Sequence, residues 1–184
     1  MDRQELSGGV WDRAYEYFGA HPGEDGWTFR VWAPQARHVA LSGDFNGWQR
    51  WDMHRLEDGT WELTVENAKQ FDGYQYVVTQ CDGREVWKAD PYGFHQETRP
   101  STNSKLYDIG GFPWHDEKWR QRREGTRPAE GYVNIYEVHL GSWQRTEDGQ
   151  VLNYRDIADR LALYVRDMGY NYVELLPVTE YPLD

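Results

Sequence analysis

"GYQYVVTQCDGREVWK" (residues 73–88) decides how the first half of the chain folds. Large apolar and polar side chains alternate along "GYQYVVTQ", the period of two that belongs to a half-buried strand. Asp82-Gly83 then breaks the run with a pair that accepts the backbone angles of a two-residue turn, and a second short run follows. The stretch therefore reads as a β-hairpin. Working outward, "SKLYD" (104–108) reads as one more strand, and "TWELTVE" (60–66) alternates in the same way. "HVALSG" (38–43) and "WTFRVWA" (27–33) complete the set, the latter stopped by Pro34. Several short strands with turn signals between them predict an all-β sandwich over residues 27–112. Residues 1–26 read as a lead-in: a short amphipathic piece (Val10, Trp11, Ala14, Tyr15, Phe18), then a turn-rich join, "GAHPGEDG".

"LSGDFNGWQR" (41–50) places a polar turn directly after an apolar run. Asp44, Asn46 and Gly47 suit it, because they tolerate unusual backbone angles or bond their own backbone. Phe45 and Trp48 are not explained that way. An indole beside a turn either folds back onto a core or stays out to grip something flat. Trp27, Trp32 and Trp61, on alternating strands, read as core.

The pattern changes after residue 112. Residues 113–131 read as a linker with a short helix, ending in the polar, Pro- and Gly-bearing "EGTRPAEG" (124–131). "YVNIYEVHL" (132–140) is an apolar, β-rich run. In "NYRDIADRLALYVRDMGYNYVELLPV" (153–178), Ile157, Leu161, Tyr164 and Met168 recur at helical spacing, with Ala158 and Val165 widening the stripe. Asn153 serves as N-cap and Gly169 as stop. "NYVELLP" then reads as a buried strand. Strand, helix, strand is a βαβ unit, which implies a parallel pair. A parallel sheet needs both faces covered, so residues 132–184 read as the beginning of a larger domain and the chain as a fragment.

The chain carries 20 basic and 31 acidic side chains for a net charge of −11, which speaks against a polyanion as main partner. Its one basic cluster, "KWRQRRE" (118–124), reads as a solvated helix face. The single cysteine, Cys81, offers no disulfide framework and no metal spacing, which suits a reducing compartment. No segment has signal-peptide or membrane-spanning character, so a cytoplasmic protein is expected, monomeric, with no membrane partner, metal or cofactor. Ten Trp and 13 Tyr at a mean hydropathy of −0.93 fit either a ring-rich core or a surface that stacks rings on uncharged sugars.

The blocks "FRVWAP", "GDFNGW" and "KADPY", in this order, resemble the glycogen-binding modules of carbohydrate-binding family 48. Followed by "YEVHLGSW" and "GYNYVELLPVTEYP", they resemble the N-terminal part of bacterial glycogen (1,4-α-glucan) branching enzymes, members of the α-amylase superfamily. The resemblance runs from about Tyr15 to Asp184. It implies a mainly β chain: an immunoglobulin-like sandwich, then the truncated first βαβ unit of a TIM (β/α)8 barrel. It implies a retaining transglycosylation in glycogen biosynthesis, cutting α-1,4 bonds and forming α-1,6 branches, with a carboxylate nucleophile and a second carboxyl as acid and base. The family's catalytic motifs do not occur before Asp184, so no catalytic residue is named and the chain itself is expected to be inactive. Glu137 and His139, two apart near a strand end, read as a buried hydrogen-bond pair in preference to direct sugar contacts. Trp143, just beyond, could line a cleft or cap the barrel.

By the same resemblance the module's partner is an α-glucan such as glycogen or a maltooligosaccharide. Trp48 and Trp87 match the two tryptophans of sugar-binding members, and Asn103 falls near their asparagine. Gln75 stands where those members have a lysine; it can still bond a hydroxyl but brings no charge. Core packing is the competing reading of both tryptophans. Two other functions stay open: a stand-alone α-glucan-binding module, and the N-terminal part of an isoamylase-type debranching hydrolase, against which the "HLGSW" ending speaks.

Overall fold

The computed structural model describes residues 9, 11–98, 100–125 and 131–178. Residues 1–8, Val10, Arg99, the last part of the expected linker (126–130) and residues 179–184 lie outside the described residues. Two compact units divide between Phe112 and Pro113.

Among its described residues the first unit holds ten strands: β1 (Gly19–Gly23), β2 (Gly26–Trp32), β3 (His38–Gly43), β4 (Trp51–Asp52), β5 (His54–Arg55), β6 (Thr60–Val65), β7 (Gly73–Thr79), β8 (Glu85–Lys88), β9 (His95–Gln96) and β10 (Ser104–Lys105). They form two antiparallel sheets, β1-β2-β6-β5 and β4-β3-β7-β10-β9, with β8 on the same edge of β7 as β10. The β7–β8 hairpin forms as the sequence predicts, but its turn takes in Cys81 as well as Asp82-Gly83: the Gly83 N–H bonds the Gln80 carbonyl, and Gly83 alone of the three has a left-handed backbone, at φ +87°.

The core lies between the sheets. Phe29 and Val31 of one sheet meet Val39, Leu41, Tyr74 and Tyr76 of the other, with Trp27, Trp61 and Leu106 completing it. The alternation along β2 is strict, so Trp27, Phe29 and Val31 are buried while Thr28, Arg30 and Trp32 are not. Trp32 therefore departs from the core expectation. It is 41% exposed and donates its indole N–H to the Asp58 carbonyl, because a two-residue period sends it outward whatever its hydrophobicity. The turn-rich join expected at 19–26 is instead β1 and the turn into β2. Its Pro22 sits on a sheet edge, where a missing N–H costs no ladder bond.

One aspartate ties β7 and β10 to the chain between β8 and β9. Asp90, buried, accepts from the Tyr74 hydroxyl (2.7 Å) and the Tyr76 hydroxyl (3.2 Å) on Oδ2, and from the Tyr92 N–H on Oδ1. Its own N–H donates to Ser104 Oγ at 2.9 Å. Burial pushes the Asp90 carboxyl above its ordinary value, against the lowering effect of these donors, and pushes both tyrosines well up.

The second unit contains α1 (Glu117–Glu124), β11 (Ile135–Val138), the one-turn α2 (Leu140–Trp143), α3 (Tyr154–Asp167) and β12 (Tyr172–Leu175). The basic helix α1 is exposed throughout, with the Arg123 guanidinium 5.2 Å from the Trp119 ring centre. β11 and β12 pair in parallel, Ile135 opposite Tyr172 through Val138 opposite Leu175. Asn153 caps α3, its side chain accepting from the Asp156 N–H, and Gly169 follows the helix at φ +78°. Val138, Leu152, Ile157 and Leu161 are buried together, with Trp143 packed beside them and donating to the Tyr136 hydroxyl. β12 differs from the buried strand expected, since all four of its residues are exposed.

Candidate functional site

The candidate site is the outward face of the larger sheet of the first unit. On β7 the inward residues are Tyr74 and Tyr76, so Gly73, Gln75 and Val77 face away from the core. Register then assigns the neighbours. Trp87 stands opposite Val77, which stands opposite Ala40. One row along, Ser42 pairs with Gln75, and Asn103 reaches the same row from the other side, because its neighbour Ser104 pairs with Tyr74. The Glu97 N–H bonds the Asn103 carbonyl and extends that row to Glu97.

The turn after β3 supplies Trp48. Gly43 is required there, since a Cβ would fall 2.6 Å from the Gly73 carbonyl and 2.7 Å from the Phe45 ring. Phe45 folds inward, 5.4 Å from Phe29 between ring centres. Gly47 at φ +62° then turns the chain, and Trp48 follows at φ +60°. That conformation costs a side-chain-bearing residue about 1–2 kcal/mol. It carries the indole back across β7: a Cβ on Gly73 would meet Trp48 Cζ2 at 3.6 Å. Asp44 holds the arrangement, accepting from Trp48 Nε1 (2.9 Å) on one oxygen and the Gly73 N–H (2.7 Å) on the other.

All four residues singled out in the sequence thus share one face. Trp48 is 36% and Trp87 44% exposed, and the Arg50 guanidinium lies 5.9 Å from the Trp87 ring centre while pairing with Glu85. Between them the floor is small and buried: Ala40, Ser42 and Val77. Gln75 is the exception to an open grip. It is buried and its amide donates to the carbonyl and hydroxyl oxygens of Thr102, at 3.2 and 3.1 Å. Asn103 is half-buried and donates to Glu97 at 2.8 Å, a carboxylate that also accepts from the Ser101 hydroxyl. Asp44 and Glu97, which orient Trp48 and Asn103, were missed in the sequence. Asp44 had a signal, lying four residues before the indole it holds. Glu97 had none.

In the second unit, Glu137 and His139 do not form the buried pair expected. Both are exposed, and His139 Nδ1 lies 2.9 Å from Ser142 Oγ. β11 ends at Val138, so His139 belongs to the start of α2 and bonds within that turn. Among the described residues, no cluster of His, Cys, Asp or Glu could hold a metal ion, and no helix is long and apolar enough to cross a membrane.

Residues 17–93 match the family described as carbohydrate-binding module 48 (isoamylase N-terminal domain), a span that takes in β1. Over 191 aligned positions, covering 100% of the chain, it is 41% identical to the 1,4-alpha-glucan branching enzyme GlgB of Fusobacterium nucleatum subsp. nucleatum. That alignment covers 30% of the relative, so the chain spans under a third of the protein it matches. A solved structure from Salmonella typhimurium, described provisionally as an alpha amylase, superposes with a TM-score of 0.67 at 26% identity, over 91% of this chain and 26% of that one. The GBS pullulanase SAP, solved with maltotetraose, shares the fold with a TM-score of 0.65 at 18% identity, over 90% of this chain and 24% of its own.

Proposed function

We propose that this chain, whose relatives over its full length are 1,4-alpha-glucan branching enzymes, is the glucan-binding and barrel-opening portion of such an enzyme. The observation that carries the reading is the 41% identity over the full chain, both units included. In the parent enzyme, an α-1,4 bond of a glucan is cut and the released segment passes to a 6-hydroxyl. The path runs through a glycosyl-enzyme intermediate on one carboxylate of the parent enzyme, a second carboxyl protonating the departing chain and then deprotonating the 6-hydroxyl. Residues 27–112 with β1 serve as the binding sandwich and 113–131 as linker. Residues 132–184 begin the catalytic barrel. The protein works as a cytoplasmic monomer whose partner is glycogen or a maltooligosaccharide.

The sandwich grips the glucan on the Trp48–Trp87 face. Uncharged rings suit the apolar C–H faces of glucose units, and Asn103 offers a polar group to the hydroxyls between them. Gln75 acts from beneath, holding the Thr102 loop beside Asn103. The pullulanase likeness, at 18% identity, speaks for a shared fold alone, so the debranching alternative gains nothing from it.

Native electrophoresis in gels containing glycogen tests the reading. The chain should be retarded by glycogen and unaffected by dextran, while incubation with amylose yields no new α-1,6 branches. Mobility that ignores glycogen, or branch formation by these 184 residues alone, would contradict it.

A further inference from the structure

The outward face of the larger sheet does not stop at Trp48. Lys105 stands opposite both Gly73 and His95, so these three form the next row along the strands. Beyond it, the Phe71 N–H bonds the Leu106 carbonyl and the Leu106 N–H bonds the Asp72 carbonyl, which carries the β7–β10 ladder past the last paired residues. Leu106 is buried in the core, so Tyr107 beside it points outward. The rings of Phe71, Tyr107 and His95 meet there, with centres 5.8 Å apart for Phe71–Tyr107, 6.1 Å for Phe71–His95 and 5.8 Å for His95–Tyr107.

Two features mark this trio as more than packing. Phe71 is 53% and Tyr107 40% exposed, so both rings keep a large share of their surface open to solvent. Phe71 also sits at φ +75°, in the left-handed region that disfavours a residue with a Cβ. Among the described residues, Trp48 is the other non-glycine with positive φ, and both are aromatic, exposed and on this face. A glycine at position 71 would make the same turn without strain. Strain retained at an exposed ring points to what the ring touches outside the protein.

We propose that Phe71 and Tyr107, with His95 and Lys105 beside them, form a second glucan subsite that extends the Trp48–Trp87 face lengthwise. The inference rests on that face being the glucan site. From the Trp87–Val77 row to the Gly73–His95 row the strand advances about 13 Å, and Phe71 and Tyr107 lie a further row on. One extended α-1,4-glucan would cross Trp87, the Gln75–Asn103 row and Trp48, and rest its next glucose units on Phe71 and Tyr107. The occupant fits the surface: rings for the C–H faces, with a lysine and a histidine for the hydroxyls. Short oligosaccharides would be held by the tryptophans alone, and long ones by both subsites.

The test is the dependence of affinity on chain length, read by calorimetric titration of maltotetraose and maltoheptaose into the full chain. Phe71→Gly removes the ring and relieves the backbone, so its melting temperature should be unchanged or raised. It should weaken maltoheptaose roughly three- to ten-fold, the size of one aromatic contact, and leave maltotetraose unaltered. Tyr107→Ser should do the same without touching the turn. If Trp48→Ala weakens both sugars while neither of these variants changes maltoheptaose affinity, the extension is wrong and the primary face stands. If Trp48→Ala changes neither sugar, the face itself is wrong and the extension falls with it.

Discussion

The sandwich and the βαβ unit are built from similar amino acids and finish in opposite conditions. In the first, two antiparallel sheets cover one another's apolar faces, and Phe29, Leu41, Tyr74 and Tyr76 lose all or nearly all contact with solvent. In the second, a single parallel pair has α3 to lean on. Among its described residues only Val138, Leu152, Ile157 and Leu161 are buried, while β12 stays exposed along its length. An open apolar groove of about 650 Å³ runs between Ile157 and Leu161 of α3 and Val173 and Leu175 of β12. Antiparallel layers close a core within about a hundred residues. A parallel pair supplies half of an interface.

That contrast should be widest in amide exchange. The N–H groups of β3 and β7 should open only with global unfolding, and so exchange about a thousandfold or more slowly than those of β11 and β12. Equal protection in the two units would remove the contrast. Core truncation comes next. Phe29→Ala should cost about 3–5 kcal/mol of sandwich stability in a urea titration, whereas Leu161→Ala should leave the sandwich transition in place. A common loss of both signals in either variant would mean that the units unfold as one.

A smaller effect belongs to Asp90, which sharpens what holds the sandwich's far end. Asp90→Asn keeps the shape and the bond from the Tyr92 N–H, but puts an NH2 group where the Tyr74 and Tyr76 hydroxyls need an acceptor, at a cost of about 1–3 kcal/mol. Its pH signature is more specific. The folded state raises the carboxyl above 3.8, so it holds the proton more firmly than the unfolded chain does. The associated stabilisation is complete below the unfolded value and is lost as pH rises through the folded one. Wild type minus Asp90→Asn stability should therefore fall with rising pH across that window. A flat difference would argue that the carboxyl is not desolvated.

The sandwich was legible in the sequence wherever a strand alternated for five residues or more, as in 27–33, 60–66 and 73–79. β1 escaped because Gly19, Pro22 and Gly23 read as turn chemistry, and only pairing with β2 makes them a strand. Trp32 was misread by weighing its size over its parity, which Arg30 and Thr28 already declared. In the second unit, Asn153, Gly169 and the helical stripe were all readable, but the exposure of β12 was not, because an apolar strand looks the same covered or bare. Trp48 and Trp87 could be picked out from their motifs. Their common face could not, since it depends on the β3–β7 and β7–β8 registers. Nor could the commitment of Gln75 to Thr102, a partner 27 residues away.

The glucan face on the sandwich is where the account stands or falls. Calorimetric titration of maltoheptaose into the wild-type chain and into Trp48→Ala, Trp87→Ala and the double variant addresses it directly. Wild type should bind; each single variant should bind about tenfold more weakly, and the double variant should give no measurable heat, with melting temperatures near wild type. Undiminished binding by the double variant, or no binding by wild type, would contradict the assignment of this face.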